Sequence, residues 1–188
     1  MPFTPAHPAI VLPFIRLNPR YISATGLIIG SMSPDFEYFI KMSVDSMHSH
    51  TLPGLFYLDV PLTILLAFAF HLVVKRNLIL NLPYFLQKRF QPLLGLNFTD
   101  RFKRHTVAFL ICALLGAASH VFWDGFTHGD GYFAERIESL RILRVPFQGV
   151  NYPLFYALQH ISTATGLTIL LTYIMFMKPA TSVTRNKP

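Results

Sequence analysis

The stretch Ser119-His120-Val121-Phe122-Trp123-Asp124-Gly125-Phe126-Thr127-His128 sets two imidazoles and a carboxylate at positions i, i+4 and i+8. On a helix this spacing lines His120, Asp124 and His128 along one face, separated by about 6 Å of rise per step. So arranged, they can grip one divalent ion or bridge two, and a mixed nitrogen and oxygen donor set suits zinc, manganese or iron. The plainer alternative is a polar helix face hydrogen-bonded to neighbouring helices, with Gly125 ending the helix before His128.

Two carboxylates stand in Ser33-Pro34-Asp35-Phe36-Glu37. Asp35 follows a proline that fixes a turn, so it is a candidate ligand or a helix cap. Glu37 is the candidate general base, or an acceptor behind the ligands. In Met47-His48-Ser49-His50-Thr51, His50 stands beside a helix start and is the better ligand, with His48 an additional candidate or an exposed residue. Asp59 falls two turns further on, where a carboxylate would orient a ligating histidine. His7, in Thr4-Pro5-Ala6-His7-Pro8, reaches the same depth only if the first segment forms a half-membrane hairpin. Otherwise it belongs to a disordered N-terminus. His160, in Gln159-His160-Ile161, is an additional candidate with a structural hydrogen bond as the rival role, whereas His71 and His105 read as interfacial residues.

The elements that must position these groups are membrane helices. Of the 188 residues 52% are hydrophobic and only 13% charged, against about 25% charged in soluble domains. Eighteen Phe, fourteen Pro and a mean hydropathy of +0.43 exclude a disordered chain. The single cysteine, Cys112, excludes a disulfide framework and a cysteine-rich zinc module, so any metal depends on His and carboxylates. A crossing takes about 20 residues of helix. Crossings are predicted near 52–74, 105–124 and 153–177, with a weaker fourth near 21–39 in which Gly26 and Gly30, four apart, permit close helix packing. A short re-entrant or interfacial helix from Thr4-Pro5 to about Leu17 precedes them. No cleavable signal is expected, because Met1 to His7 lacks basic residues and Pro8 and Pro13 break the first apolar run. The predicted fold class is therefore all-α: one integral membrane helical bundle over 1–188.

Charge assigns the sides, since cytoplasmic loops collect Lys and Arg. With the N- and C-terminal regions inside, the inner segments (16–20, the loop 75–104 and the tail 178–188) carry twelve basic residues against Asp100 alone. The outer half, including the loop 125–152, carries Lys41, Arg136, Arg141 and Arg144 against eight acids, Asp45 among them. Topology thus accounts for the net charge of +7, and nucleic acid is not an expected partner; the bilayer is. Oligomeric state stays open. No Gly-rich phosphate loop, Gly-x-Ser-x-Gly or His-Glu-x-x-His is present.

Met-Pro-Phe-Thr-Pro-Ala-His-Pro at the start, Ile29 to Phe39, Ser-His-Thr-Leu-Pro-Gly from Ser49 to Gly54 and the Ser119 to His128 run resemble the bacterial membrane family catalogued as domain of unknown function 4184. That family in turn looks like a distant relative of the inner-membrane-bound metal-dependent hydrolases, which share a His, a Pro-Asp, a His-Ser/Thr and a His-x-x-x-Asp in this order. By position, the resemblance implies His7, Asp35, His50, His120 and Asp124 as metal ligands.

The expected function is metal-assisted hydrolysis of an ester or phosphoester at the outer membrane boundary, with a lipid headgroup as the economical substrate because the polar residues gather at headgroup depth. Zinc is the first choice of ion, with manganese or iron as alternatives. Glu37 or a free carboxylate would take the proton of the bound water. Arg136, Arg141 or Arg144 could hold a phosphate, against the plainer reading of solvated loop charges. Rival readings are a metal ion or proton transporter, disfavoured by the apolar stretches Leu62 to Phe70 and Thr168 to Met177, and a non-catalytic protein with a structural metal.

Overall fold

The computed structural model describes residues 3–43 and 48–181. The last seven residues of the expected tail, and Asp45 of the outer charge group, lie outside the described residues. The chain starts in short helical turns, Thr4–Ala6, α1 (Pro8–Val11) and Leu12–Phe14. It continues through α2 (Ala24–Gly30), the tight turn Ser33–Asp35 and α3 (Phe36–Lys41). The long helix α4 (Leu52–Asn81) leads to α5 (Tyr84–Phe90), α6 (Phe98–Arg104) and α7 (Thr106–Thr127). After α8 (Tyr132–Arg136) and α9 (Glu138–Ile142), a hairpin of β1 (Arg144–Phe147) and β2 (Val150–Pro153) precedes α10 (Leu154–Phe176).

Among the described residues, three helical stretches are long and apolar enough to cross a membrane: Leu52–Asn81, Thr106–Arg136 and Leu154–Phe176, of 30, 31 and 23 residues. The second consists of α7, the turn after it and α8. The helix does not end where the crossing predicted near 52–74 does: Lys75 turns its amine onto the Leu96 carbonyl (2.9 Å) and α4 runs on to Asn81. Near the other end, Pro61 has no N–H and crowds the carbonyl four residues back. A wider π turn over Leu55–Asp59 immediately precedes it and turns Asp59 fully inward.

The segment expected to cross near 21–39 is divided. Seven residues of α2 rise only about 10 Å, and α3 is shorter still. Ser31 and Ser33 hydroxyls donate to the Ile28 and Gly30 carbonyls, and Pro34 sets the following turn. The helix is thus closed off where Asp35 must face inward.

Between helices in lipid there is little hydrophobic drive, so contact depends on close backbone approach. The α2–α7 interface shows this: a Cβ on Gly30 would sit 2.4 Å from the Ala113 carbonyl oxygen, and one on Gly116 would sit 2.5 Å from that of Leu27. Below this seam Phe98, Phe109, Ala67 and Ala113 form the buried core. At the far side, Phe147 pairs with Val150 around Gln148 and Gly149, whose φ values of 49° and 79° make the primed turn that suits a two-residue hairpin loop.

Candidate metal centre

Three of the four members of the central cluster are held by one outer contact that leaves another polar atom facing inward. His120, fully buried on α7, has Nδ1 2.8 Å from the Ser31 carbonyl that the glycine seam brings against it. A carbonyl only accepts, so Nδ1–H is the donor, and in the neutral ring Nε2 carries the lone pair. Asp35, buried at the Pro34 turn, accepts a 2.6 Å bond from Thr4 Oγ1 on Oδ2, which leaves Oδ1 free. His50 Nδ1 lies 3.0 Å from Ser49 Oγ, which leaves Nε2 free. Asp124, one helical turn beyond His120, has both carboxylate oxygens buried without a hydrogen bond.

The inward atoms converge. His120 Nε2 is 3.3 Å from Asp35 Oδ1 and 3.3 Å from Asp124 Oδ2; His50 Nε2 is 3.5 Å from Asp124 Oδ2 and 4.0 Å from Asp35 Oδ1. Asp35, His50, His120 and Asp124 each offer one donor atom, all within 4.8 Å of one another, and the group could hold a metal ion. Four donors at about 2.0–2.1 Å from one zinc ion, tetrahedrally placed, would be about 3.3–3.4 Å apart. Three of the four measured separations are within 0.2 Å of that range, and the widest is on the His50 side. None of these four atoms makes a hydrogen bond. Buried polar groups are normally paired, so this concentration of orphaned donors suits the binding of a cation.

His7 joins the edge of the cluster. Its ring stacks on His120 with centroids 3.7 Å apart, and its Nε2 lies 3.5 Å from Asp124 Oδ1. Burial, with the His120 ring beside it, pushes the His7 pKa down to about 3. The ring is therefore neutral, the form that binds metals. His128 is past the end of α7: its Nδ1 faces the Asp124 carbonyl at 3.1 Å and Oδ2 at 3.7 Å, and its Nε2 is buried without a partner.

The remaining candidates stand elsewhere. Glu37 Oε2 accepts from the backbone N–H groups of Ser49 (2.7 Å) and His48 (3.2 Å), and Lys41 pairs with Oε1. Burial opposes the charge, but Lys41 and these backbone donors outweigh it and hold the Glu37 pKa down to about 2. His48 Nδ1 meets the Tyr57 hydroxyl at 2.7 Å. His160 is exposed, edge-on to Tyr156. Asp59 is fully buried with neither carboxylate oxygen hydrogen-bonded. The contact expected of Asp59 to a ligating histidine is made for His120 by the Ser31 carbonyl. Thr4, Ser31 and Ser49, which orient the inward donors, were not singled out by sequence. Thr4 and Ser49 lie within the motifs quoted above, but a backbone carbonyl such as that of Ser31 leaves no signature in residue type.

Neither the curated proteins nor the solved structures compared with this chain provide a match. The profile of the family described as Domain of unknown function (DUF4184) matches residues 1–187, and the chain belongs to that family.

Proposed function

We propose that the cluster is a divalent-metal centre, zinc by donor type and spacing, that assists hydrolysis of an ester or phosphoester at the outer membrane boundary. Asp35, His50, His120 and Asp124 hold the ion, with His7 as a further ligand through its own Nε2, which lies at the edge of the set 3.5 Å from Asp124 Oδ1. The observation that carries the reading is the convergence of four hydrogen-bond-free donor atoms from three separate segments, the Pro34 turn, the 48–50 stretch and α7. A bound ion of this class supplies a water of lowered pKa and polarises the ester oxygen.

The chain's own residues do the rest. Two carboxylates provide two negative charges that balance a divalent cation, and Thr4, Ser31 and Ser49 hold the donors in place. The side chains of Asp35, His120 and Asp124 are at most 4% exposed, while that of His50 is 20% exposed. The cluster therefore has one side open to an incoming group, the feature that separates catalytic from closed structural metal sites. Glu37 positions the 48–50 segment through its two backbone contacts. We assign proton acceptance to Asp59, the free carboxylate of the candidate set, in place of Glu37. Arg136 rests over the Tyr132 ring (3.7 Å) and is not assigned to the substrate.

The same reading sets the chain in the bacterial inner membrane with residues 16–20, the loop 75–104 and the C-terminal region inside. The split of basic and acidic residues supports that orientation. The Thr4–Asp35 bond and the His7–Asp124 approach support a half-membrane hairpin that returns the first segment to the depth of the cluster.

A structural metal is the second reading, favoured by the count of four protein donors. A panel of lipid phosphoesters and simple esters, assayed with zinc-loaded parent and Asp59→Asn, separates the two. The catalytic reading expects metal-dependent turnover in the parent, lost in Asp59→Asn while the metal is kept. Loss of folding without metal, and no turnover on any member of the panel, would leave the structural reading.

A further inference from the structure

At the other end of the bundle, α2, α4, α6 and the start of α7 enclose a cavity of about 130 Å³ lined in part by Ser23, Thr25, His71, Arg101, Phe102 and His105. His105 precedes α7 by one residue, and His120 lies fifteen residues further on, so about 22 Å of helix separates this cavity from the His/Asp cluster. A single water needs roughly 10–15 Å³ of such space, so the cavity accommodates a group the size of a phosphate.

Its polar lining includes one fixed cation, Arg101, and is incompletely used. The Arg101 guanidinium donates to the Pro19 carbonyl through one nitrogen (3.1 Å), and the rest of its fork has no hydrogen-bond partner among the described residues. The His71 ring stacks flat on Phe98 at 4.3 Å with Nε2 at 3.1 Å from Thr25 Oγ1, while its Nδ1 is buried with no hydrogen-bond partner. Lys75, Arg76, Lys103 and Arg104 are near in sequence to the lining residues, and Asp100, the one acid of the 75–105 segment, is engaged by Asn97. Beside it, the 78–96 segment exposes Leu78, Tyr84, Phe85 and Leu93, an apolar surface suited to a bilayer interface.

We propose that this cavity binds a phosphate group, as carried by the headgroup of an anionic phospholipid. Arg forks match phosphate oxygens, and basic pockets between membrane helices accept anionic headgroups. The proposal stands apart from the metal centre and from its chemistry.

The test uses the full chain, purified in detergent and stripped of lipid. Native mass spectrometry then follows titration with phosphatidylglycerol, with diacylglycerol of the same tails but no phosphate, and with inorganic phosphate as competitor. The parent is expected to retain phosphatidylglycerol over diacylglycerol. Arg101→Gln should weaken that retention about fivefold or more, the effect of roughly 1 kcal/mol for one cation near an anionic lipid, while the metal content stays that of the parent. Displacement by millimolar phosphate would show that the cavity takes the phosphate itself; retention against it would show that the lipid is the source recognised. Should Arg101→Gln not fold, His71→Leu serves the same comparison. Equal retention of diacylglycerol, or unchanged phosphatidylglycerol binding in a folded variant, would overturn the proposal.

Discussion

In the proposed mechanism, Glu37 and Asp59 exchange the roles that their positions in the sequence suggest. Glu37 stands two residues from a ligand candidate and looks like a base, but its carboxylate is bound by Lys41 and the backbone at His48 and Ser49. Groups that orient ligands typically change metal affinity 10–100-fold when removed. Glu37→Gln should therefore lower metal affinity about tenfold or more, with turnover restored at saturating metal. Turnover that stays lost with the metal fully bound would return Glu37 to the role of base. At this scale the His-x-x-x-Asp pair was legible because one helix face fixes it. The inward aim of Asp35 and His50 was not, because it depends on a threonine hydroxyl thirty-one residues away and on a serine beside the histidine.

The elements matter through the seam between α2 and α7. Sequence spacing of Gly26 and Gly30 signalled close packing, but not that the partner would be Gly116 and Ala113 or that the seam would press the Ser31 carbonyl onto His120. Nor did it show that the segment 21–39 divides into two short helices, because apolar content alone does not reveal where serine hydroxyls and a proline close a helix. A Cβ at Gly30 has no flexible neighbour to displace, only the Ala113 backbone. Gly30→Ala should cost about 1–3 kcal/mol, the usual range for overpacking, and should weaken metal binding as His120 loses its anchor. A variant that melts early yet binds metal as the parent does would uncouple the seam from the site.

Across the whole molecule, the polar residues are sorted by end. The cluster gathers His7, Asp35, His50, His120 and Asp124 at one end of α7, and the basic cavity lies at the other. Three long apolar helices were legible by length and composition; the join of the N-terminal turns to the cluster was not, since it is a tertiary contact between residues far apart in the chain. The charge split predicts that a cysteine at Arg141 reacts with an impermeant reagent from outside while one at Lys88 does not. The reverse pattern would invert the bundle and move the centre to the inner boundary.

The metal content of the purified chain tests the central claim most directly. Elemental analysis of the parent and of His120→Ala, each exposed to zinc and then passed through a desalting column, gives the answer without a substrate. The parent should retain at least one zinc per chain, and His120→Ala, which removes a donor common to two of the shortest separations in the cluster, should retain well below one. A folded parent that holds no divalent metal, or a His120→Ala chain that holds as much as the parent, would contradict the metal centre.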